Sequence, residues 1–212
     1  MMRNKIRGCK VKNLYRPTVY GIGYIGDGEY CRSVNGKVIP AYGSWWRMLE
    51  RCYSAACQSE KPTYIGCSVA EEWHNLQVYA IWYHSQPNSS RTGFQLDKDL
   101  RIGGNKQYGP DTSSFVPSQI NSLLTDSATI RGDLPQGVTR NGKGFRAFLK
   151  VKGKRVYLST YSTPDQAFAI YKTAKEHNVK SMAEEWKDYL HPEVYNYLMG
   201  WELITQENKT YV

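Results

Sequence analysis

"GFRAFLKVKGKRVYLSTYSTPDQAFAIYKTA", residues 144–174, carries two periodicities in succession. "FRAFLKV" alternates with a period of two. That puts Phe145, Ala147, Leu149 and Val151 on one face of a strand and Arg146, Phe148 and Lys150 on the other. Lys152-Gly153 turns the chain, and "KRVYLS" returns with Val156 and Leu158 inward and Arg155 and Tyr157 outward. A helix start follows: Thr163 as the capping hydroxyl, Pro164 at the first helical position and Gln166 completing a capping-box pattern. Ala167, Ile170, Tyr171 and Ala174 form an apolar stripe at helical spacing. The expectation is a small three-stranded sheet with one helix behind it and a front face that is basic, with aromatic residues interleaved.

The charge pattern extends this reading along the chain. The 212 residues carry a net charge of +9, which favours a polyanionic partner. Arg3, Lys5, Arg7, Lys10, Lys12 and Arg16 form a basic arm without an acid between them. From Arg131 to Lys180, Lys and Arg far outnumber Asp133, Asp165 and Glu176. Beyond Ser181 the sign reverses, with Glu184, Glu185, Asp188, Glu193, Glu202 and Glu207 against Lys187 and Lys209. Two basic zones around a near-neutral middle point to nucleic acid.

An apolar content of 41%, with 6 Trp and 17 Tyr, excludes a disordered chain. No apolar run reaches the roughly 18–20 residues that span a bilayer, and the N-terminal run has no apolar stretch of the secretory kind. The expectation is a soluble protein of the cytoplasm (that of the host cell, if phage-encoded), with no membrane partner. Cys9, Cys31, Cys52, Cys57 and Cys67 are odd in number and contain no C-x-x-C pair, so reduced cysteines are expected.

Upstream, Asn35-Gly36 between "CRSV" and "KVIP" is a hairpin signal, because both central positions of a type I′ turn need positive φ. "YGIGYIG" (20–26) invites confusion with GIY-YIG nucleases, but the two tripeptides of those enzymes lie on separate strands, whereas this is one short overlapping run, and the match is rejected. "SWWRMLERCYSAAC" (44–57) reads as a helix capped by Ser44, with Trp45, Met48, Leu49 and Cys52 on one face. Trp73, Leu76, Val78, Tyr79, Ile81, Trp82 and Tyr83 form an aromatic band on a second helix, read as core; His74 and His84 within it are read as ordinary surface histidines. "TDSATIRGDLPQG" (125–137) reads as a linker, with the boundary near residue 130. "SMAEEWKDYLHPEVYNYLMGW" (181–201) reads as a closing helix pair with Trp186, Leu190, Val194 and Leu198 inward.

Two stretches resemble known families. "GVTRNGKGFRAFLKVKGKRVYLSTYSTPDQAFAIYKTA" (137–174) resembles the APETALA/ethylene-response-factor DNA-binding domain, with Ser159-Thr160-Tyr161 where that family commonly has a Leu-Gly-Phe style turn. The resemblance implies that the sheet enters the major groove. By position Arg140, Arg146, Lys150, Lys152, Arg155 and Tyr157 would contact phosphates or bases. "WRMLERCY" (46–53), "YIGCSVAEEW" (64–73), "LDKDL" (96–100) and "YGPDTSSFVPSQIN" (108–121) together resemble phage and mobile-element HNH-like endonucleases of the His-Me finger type.

That second resemblance implies a ββα-metal nuclease domain that uses Mg²⁺ or Mn²⁺ to hydrolyse a phosphodiester of double-stranded DNA. Carried over by position, Asp97 is a metal ligand and Asn121 its partner from the helix. Lys98 stands where such enzymes place the general-base histidine, and Asp99 or Asn105 would orient water or hold the loop. A lysine serves as a base only where its surroundings strip its proton, so Asp97 and Asp99 are the alternative bases. Ser113 replaces a cysteine and Thr112 an asparagine of the pattern. A zinc site with Cys52 and Cys67 would therefore lack a ligand, and structural zinc is not expected.

The expected architecture is α+β. A basic arm and hairpin (1–40) precede an HNH-like nuclease domain (41–125). An APETALA-type three-stranded sheet with one helix (131–180) and a C-terminal helical segment (181–212) follow. The expected function is a homing-type DNA endonuclease, the alternative a catalytically inactive sequence-specific DNA-binding regulator. A protein-interaction module is a third reading.

Overall fold

A computed structural model describes residues 13–124 and 133–203. The fold is mixed helix and sheet, and the chain divides into two compact units between Val116 and Pro117. The expected basic arm up to Lys12 and most of the expected linker lie outside the described residues.

In the first unit, β1 (Ser33–Val34) and β2 (Lys37–Val38) pair antiparallel across Asn35 and Gly36, whose φ values of 51° and 75° are those of the expected turn. Helix α1 (Pro40–Tyr53) starts earlier than expected, on a proline at its first turn. Ser44 therefore lies inside the helix, where its Oγ is 2.7 Å from Tyr79 Oη. Helix α2 (Ala55–Glu60) is separate, because Ser54 leaves α1 in an extended conformation and accepts from Cys57 N–H. The expected single helix over 44–57 is thus two helices.

A short strand β3 (Ser68–Val69) and a 3-10 turn (Glu71–His74) lead into α3 (Leu76–Ser85), capped by Asn75, whose Oδ1 accepts from Gln77 N–H at 2.9 Å. β4 (Phe94–Asp97) pairs with β6 (Ser114–Pro117), and β5 (Gln107–Tyr108) pairs parallel with β3. Trp45, Met48, Leu49 and Cys52 are buried, as their spacing requires, together with Trp73, Leu76, Tyr79 and Tyr83. Trp45 Nε1 donates to Trp73 O at 2.7 Å, which satisfies its one polar atom inside the core. Val78 and Ile81, expected in the core, face outward at 36% and 63% exposure, because the other side of α3 is the one against α1.

The second unit opens with α4 (Ser118–Asn121). β7 (Val138–Asn141), β8 (Gly144–Val151) and β9 (Lys154–Tyr161) form one antiparallel sheet in that order. Helix α5 (Pro164–Glu185) continues past Lys180. Thr163 caps it, accepting from Gln166 N–H at 3.3 Å, and the Gln166 side chain accepts from Ser162 Oγ at 2.8 Å. Val138, Ala147, Leu149, Ala167 and Tyr171 make the core between helix and sheet. Ile170 of the expected stripe is exposed, and Phe168 packs against the core in its place. After a 3-10 turn (Lys187–Tyr189), α6 (Pro192–Met199) buries Val194 and Leu198. Leu190 is also buried and Trp186 half-buried. Among the described residues no helix is long and apolar enough to cross a membrane.

Candidate functional sites

The outer face of the β7-β8-β9 sheet follows from its register. Val138, Ala147 and Leu149 point at α5, so period two turns Thr139 and Asn141 of β7, and Arg146, Phe148 and Lys150 of β8, to the other side. On β9 the pairing Ala147↔Ser159 is followed by Phe148↔Tyr157, a bulge that leaves Leu158 as the extra residue. Leu158 packs on the core, while Tyr157, Arg155 and Thr160 join the outer face opposite Phe148, Lys150 and Arg146. Val156, expected inward, pairs with Leu149 yet is 44% exposed.

Four of the six expected DNA-contacting residues, Arg146, Lys150, Arg155 and Tyr157, share this face. Arg146 Cζ lies 5.1 Å from the Tyr157 ring centroid, and Arg155 Cζ lies 4.5 Å from that of Phe148. Asn141 Nδ2 donates to Thr160 Oγ1 at 3.1 Å across the same face. Lys150 sits directly opposite Arg155, a like-charge pair that costs stability in a free sheet and is relieved by an anion. No acidic residue of the three strands is on it. Sequence spacing missed the two arginine–aromatic stacks, which depend on which residues the bulge sets opposite one another.

The other two candidates lie elsewhere. Arg140 has the parity of Val138 and pairs with Phe145, with its Cζ 5.4 Å from that ring, so it belongs to the helix side. Lys152 occupies the β8-β9 turn at φ 47°, and its Nζ is 2.8 Å from Glu185 Oε1.

In the first unit the "LDKDL" stretch forms a tight turn at the end of β4. Asp97 Oδ1 accepts from the N–H groups of Asp99 at 2.9 Å and Leu100 at 2.8 Å. Burial raises the Asp97 carboxyl above the usual carboxylate range, and the Asp99 charge adds to this against the two N–H bonds. The Lys98 side chain is buried, with Nζ ion-paired to Asp99 Oδ1 and 5.7 Å from the Tyr108 ring centroid. Asn105 Nδ2 donates to Lys98 O at 2.8 Å and Gln107 O at 2.6 Å, and its Oδ1 accepts from Gln107 N–H at 3.2 Å. Of its two expected roles, these bonds perform the holding of the loop.

Arg51, which sequence reasoning passed over, lies at the same ring. Its Cζ is 5.6 Å from the Tyr108 centroid and 5.7 Å from that of Tyr64, and Nη1 donates to Tyr108 Oη at 3.1 Å. The only signal for it was its place in "RCY".

Ser113 Oγ accepts from Gly109 N–H at 3.1 Å. Cys31, Cys52, Cys57 and Cys67 are free thiols, and burial, with Cys67 beside it, pushes the Cys52 thiol up to about 12. His74 Nε2 is 3.2 Å from Val69 O, and His84 stacks on Tyr30 at 5.2 Å. Among the described residues no group of three or more His, Cys, Asp or Glu side chains is placed to hold a metal.

The residues of the turn test how a divalent ion would sit. Asp97 offers a desolvated carboxylate, which a cation would favour, but its Oδ1 already takes two N–H groups and Asp99 is drawn onto Lys98. Asn121, the second implied ligand, ends α4 in the second unit. The turn by itself thus supplies one ligand of the implied pair. Compared with protein-family models, with curated proteins and with solved structures, the chain matches none.

Proposed function

We propose that this protein binds double-stranded DNA through the outer face of the β7-β8-β9 sheet. The observation that carries the reading is the convergence of Arg146, Lys150 and Arg155 on one acid-free sheet face, around Phe148 and Tyr157. Such a face matches a polyphosphate in charge and a base-pair edge in its fork-shaped donors. The side chains come from the adjacent strands β8 and β9, and a two-stranded ribbon is an element the major groove admits, so those that reach base edges would give the binding its sequence preference.

The "LDKDL" turn supports two readings of the protein's action on bound DNA. The half-buried Asp97 carboxylate favours a metal-dependent endonuclease, in which Asp97 would be a ligand of Mg²⁺ or Mn²⁺ and the ion would stabilise charge on the phosphate. The ion pair between Lys98 and Asp99 favours a DNA-binding regulator without catalysis, because it occupies both groups nearest the position of the missing histidine. Of the two, the regulator fits the turn better, since the Lys98 side chain at the histidine position is buried and held on Asp99. Supercoiled plasmid incubated with Mg²⁺ or Mn²⁺, beside an Asp97→Ala variant, separates them. Binding without nicking by either protein is the expected result. Metal-dependent nicking lost in the variant would establish the nuclease.

A further inference from the structure

We infer that the Phe148–Tyr157 pair at the centre of the outer face reads the C5-methyl groups of thymine in duplex DNA, an inference that rests on the DNA-binding reading above. The two rings are opposite residues of β8 and β9, with centroids 6.5 Å apart and planes tilted by 59°. They are the aromatic centre of a face whose other members, Thr139, Asn141, Arg146, Lys150, Arg155 and Thr160, are polar or cationic. Tyr157 is 54% exposed, so its ring is presented to a partner and is not a core residue.

Aromatic residues on a sheet take nucleic acid in two ways. Single strands stack unpaired bases flat on ring faces. Duplexes meet rings through apolar contact with thymine methyl groups, which project into the major groove. Here each ring carries a guanidinium on a face, Arg155 over Phe148 at 4.5 Å and Arg146 over Tyr157 at 5.1 Å. The stacks come from diagonal neighbours on the opposite strand, so the sheet's own register holds them. With guanidinium groups stacked on them, the rings offer their edges, which suit a methyl group and not a flat base. The same stacks hold the two arginines beside the apolar centre, where their donors can reach a guanine or a phosphate next to the thymine.

The test starts from duplexes enriched by the wild-type protein from a random-sequence DNA pool. The enriched duplex is resynthesised with each thymine replaced in turn by uracil, which removes only the methyl group. At one or two positions uracil is expected to weaken binding about fourfold, the value of one buried methyl. Tyr157→Ser, a change at an exposed position that leaves the core intact, is expected to bind thymine and uracil forms equally. An enriched duplex indifferent to uracil at every position overturns the inference while leaving DNA binding standing. Preference for single strands of the same sequence overturns it in favour of base stacking. Failure to enrich any duplex removes the DNA-binding reading and this inference together.

Discussion

Replacing Gly137 and Gly142 by alanine, one at a time, isolates what fixes α5 against the sheet proposed to meet DNA. Both glycines have left-handed backbones, at φ +71° and +59°. An L-residue there costs about 1–2 kcal/mol from its Cβ alone. At Gly142 a Cβ meets nothing within 4 Å, so the cost ends with the backbone. At Gly137 the Cβ would lie 2.1 Å from Tyr171 Cδ2, inside a ring that is buried between helix and sheet. Overpacking of that kind adds about 1–3 kcal/mol, for a total of about 2–5 kcal/mol. The shift also reaches the outer face, because Gly137 O accepts from Phe148 N–H at 2.8 Å. Urea unfolding, with amide hydrogen exchange over residues 144–151, reads both effects. Gly137→Ala should lose more stability than Gly142→Ala by about 1–3 kcal/mol and lose protection in β8. Equal losses, or unchanged exchange in Gly137→Ala, would refute the packing argument.

Arg146→Ala and Arg155→Ala should each weaken duplex binding by about 1–3 kcal/mol if the guanidinium reads a base, whereas Arg140→Ala, on the helix side, should change it far less; fluorescence anisotropy with one labelled duplex compares the three, and equal effects would contradict the face assignment. Thr163→Ala removes the α5 cap and should cost about 1 kcal/mol in chemical unfolding; no change would mean that the bond to Gln166 N–H contributes nothing. Ser114 Oγ is buried and has no hydrogen-bond partner among the described residues, so Ser114→Ala should leave stability unchanged or raise it, and a loss above about 1 kcal/mol would reveal a partner. Burial pushes the Glu176 carboxyl up, but the bonds from Lys172 and Leu203 N–H outweigh it and leave it below the usual range. A depressed carboxyl stabilises above its unfolded value of about 4.3, and the contribution is lost as pH falls through the lower folded value. Glu176→Gln should therefore flatten the acid side of the stability profile, and an unchanged slope would contradict this.

The sheet and helix of the second unit were legible because their signals are local. Period two runs through "FRAFLKV", and Thr163-Pro164 marks the helix start. Ile170 escaped because the helix stripe rotates toward Phe168, whereas Val156 keeps the inward parity of its partner Leu149 and is still exposed, because alternation sets the side of a residue and not what covers it. The α1 boundary was missed because Pro40 reads equally as the end of the hairpin and as a first helical residue. At the Asp97 turn the D-x-D pattern was visible. The ion pair of Lys98 with Asp99 and the ring of Tyr108 beside it depend on packing across the first unit, which no spacing reports.

Binding of a labelled duplex across a range of salt concentrations tests the central claim most directly. The wild type and an Arg146→Gln/Lys150→Gln/Arg155→Gln variant would be compared on the same DNA. Each phosphate contact contributes about −0.9 to the slope of log affinity against log salt, so three lost contacts should flatten it by up to about 2.7. Weakened binding with a flatter slope is the predicted result. A variant that binds with the wild-type affinity and slope would contradict the account.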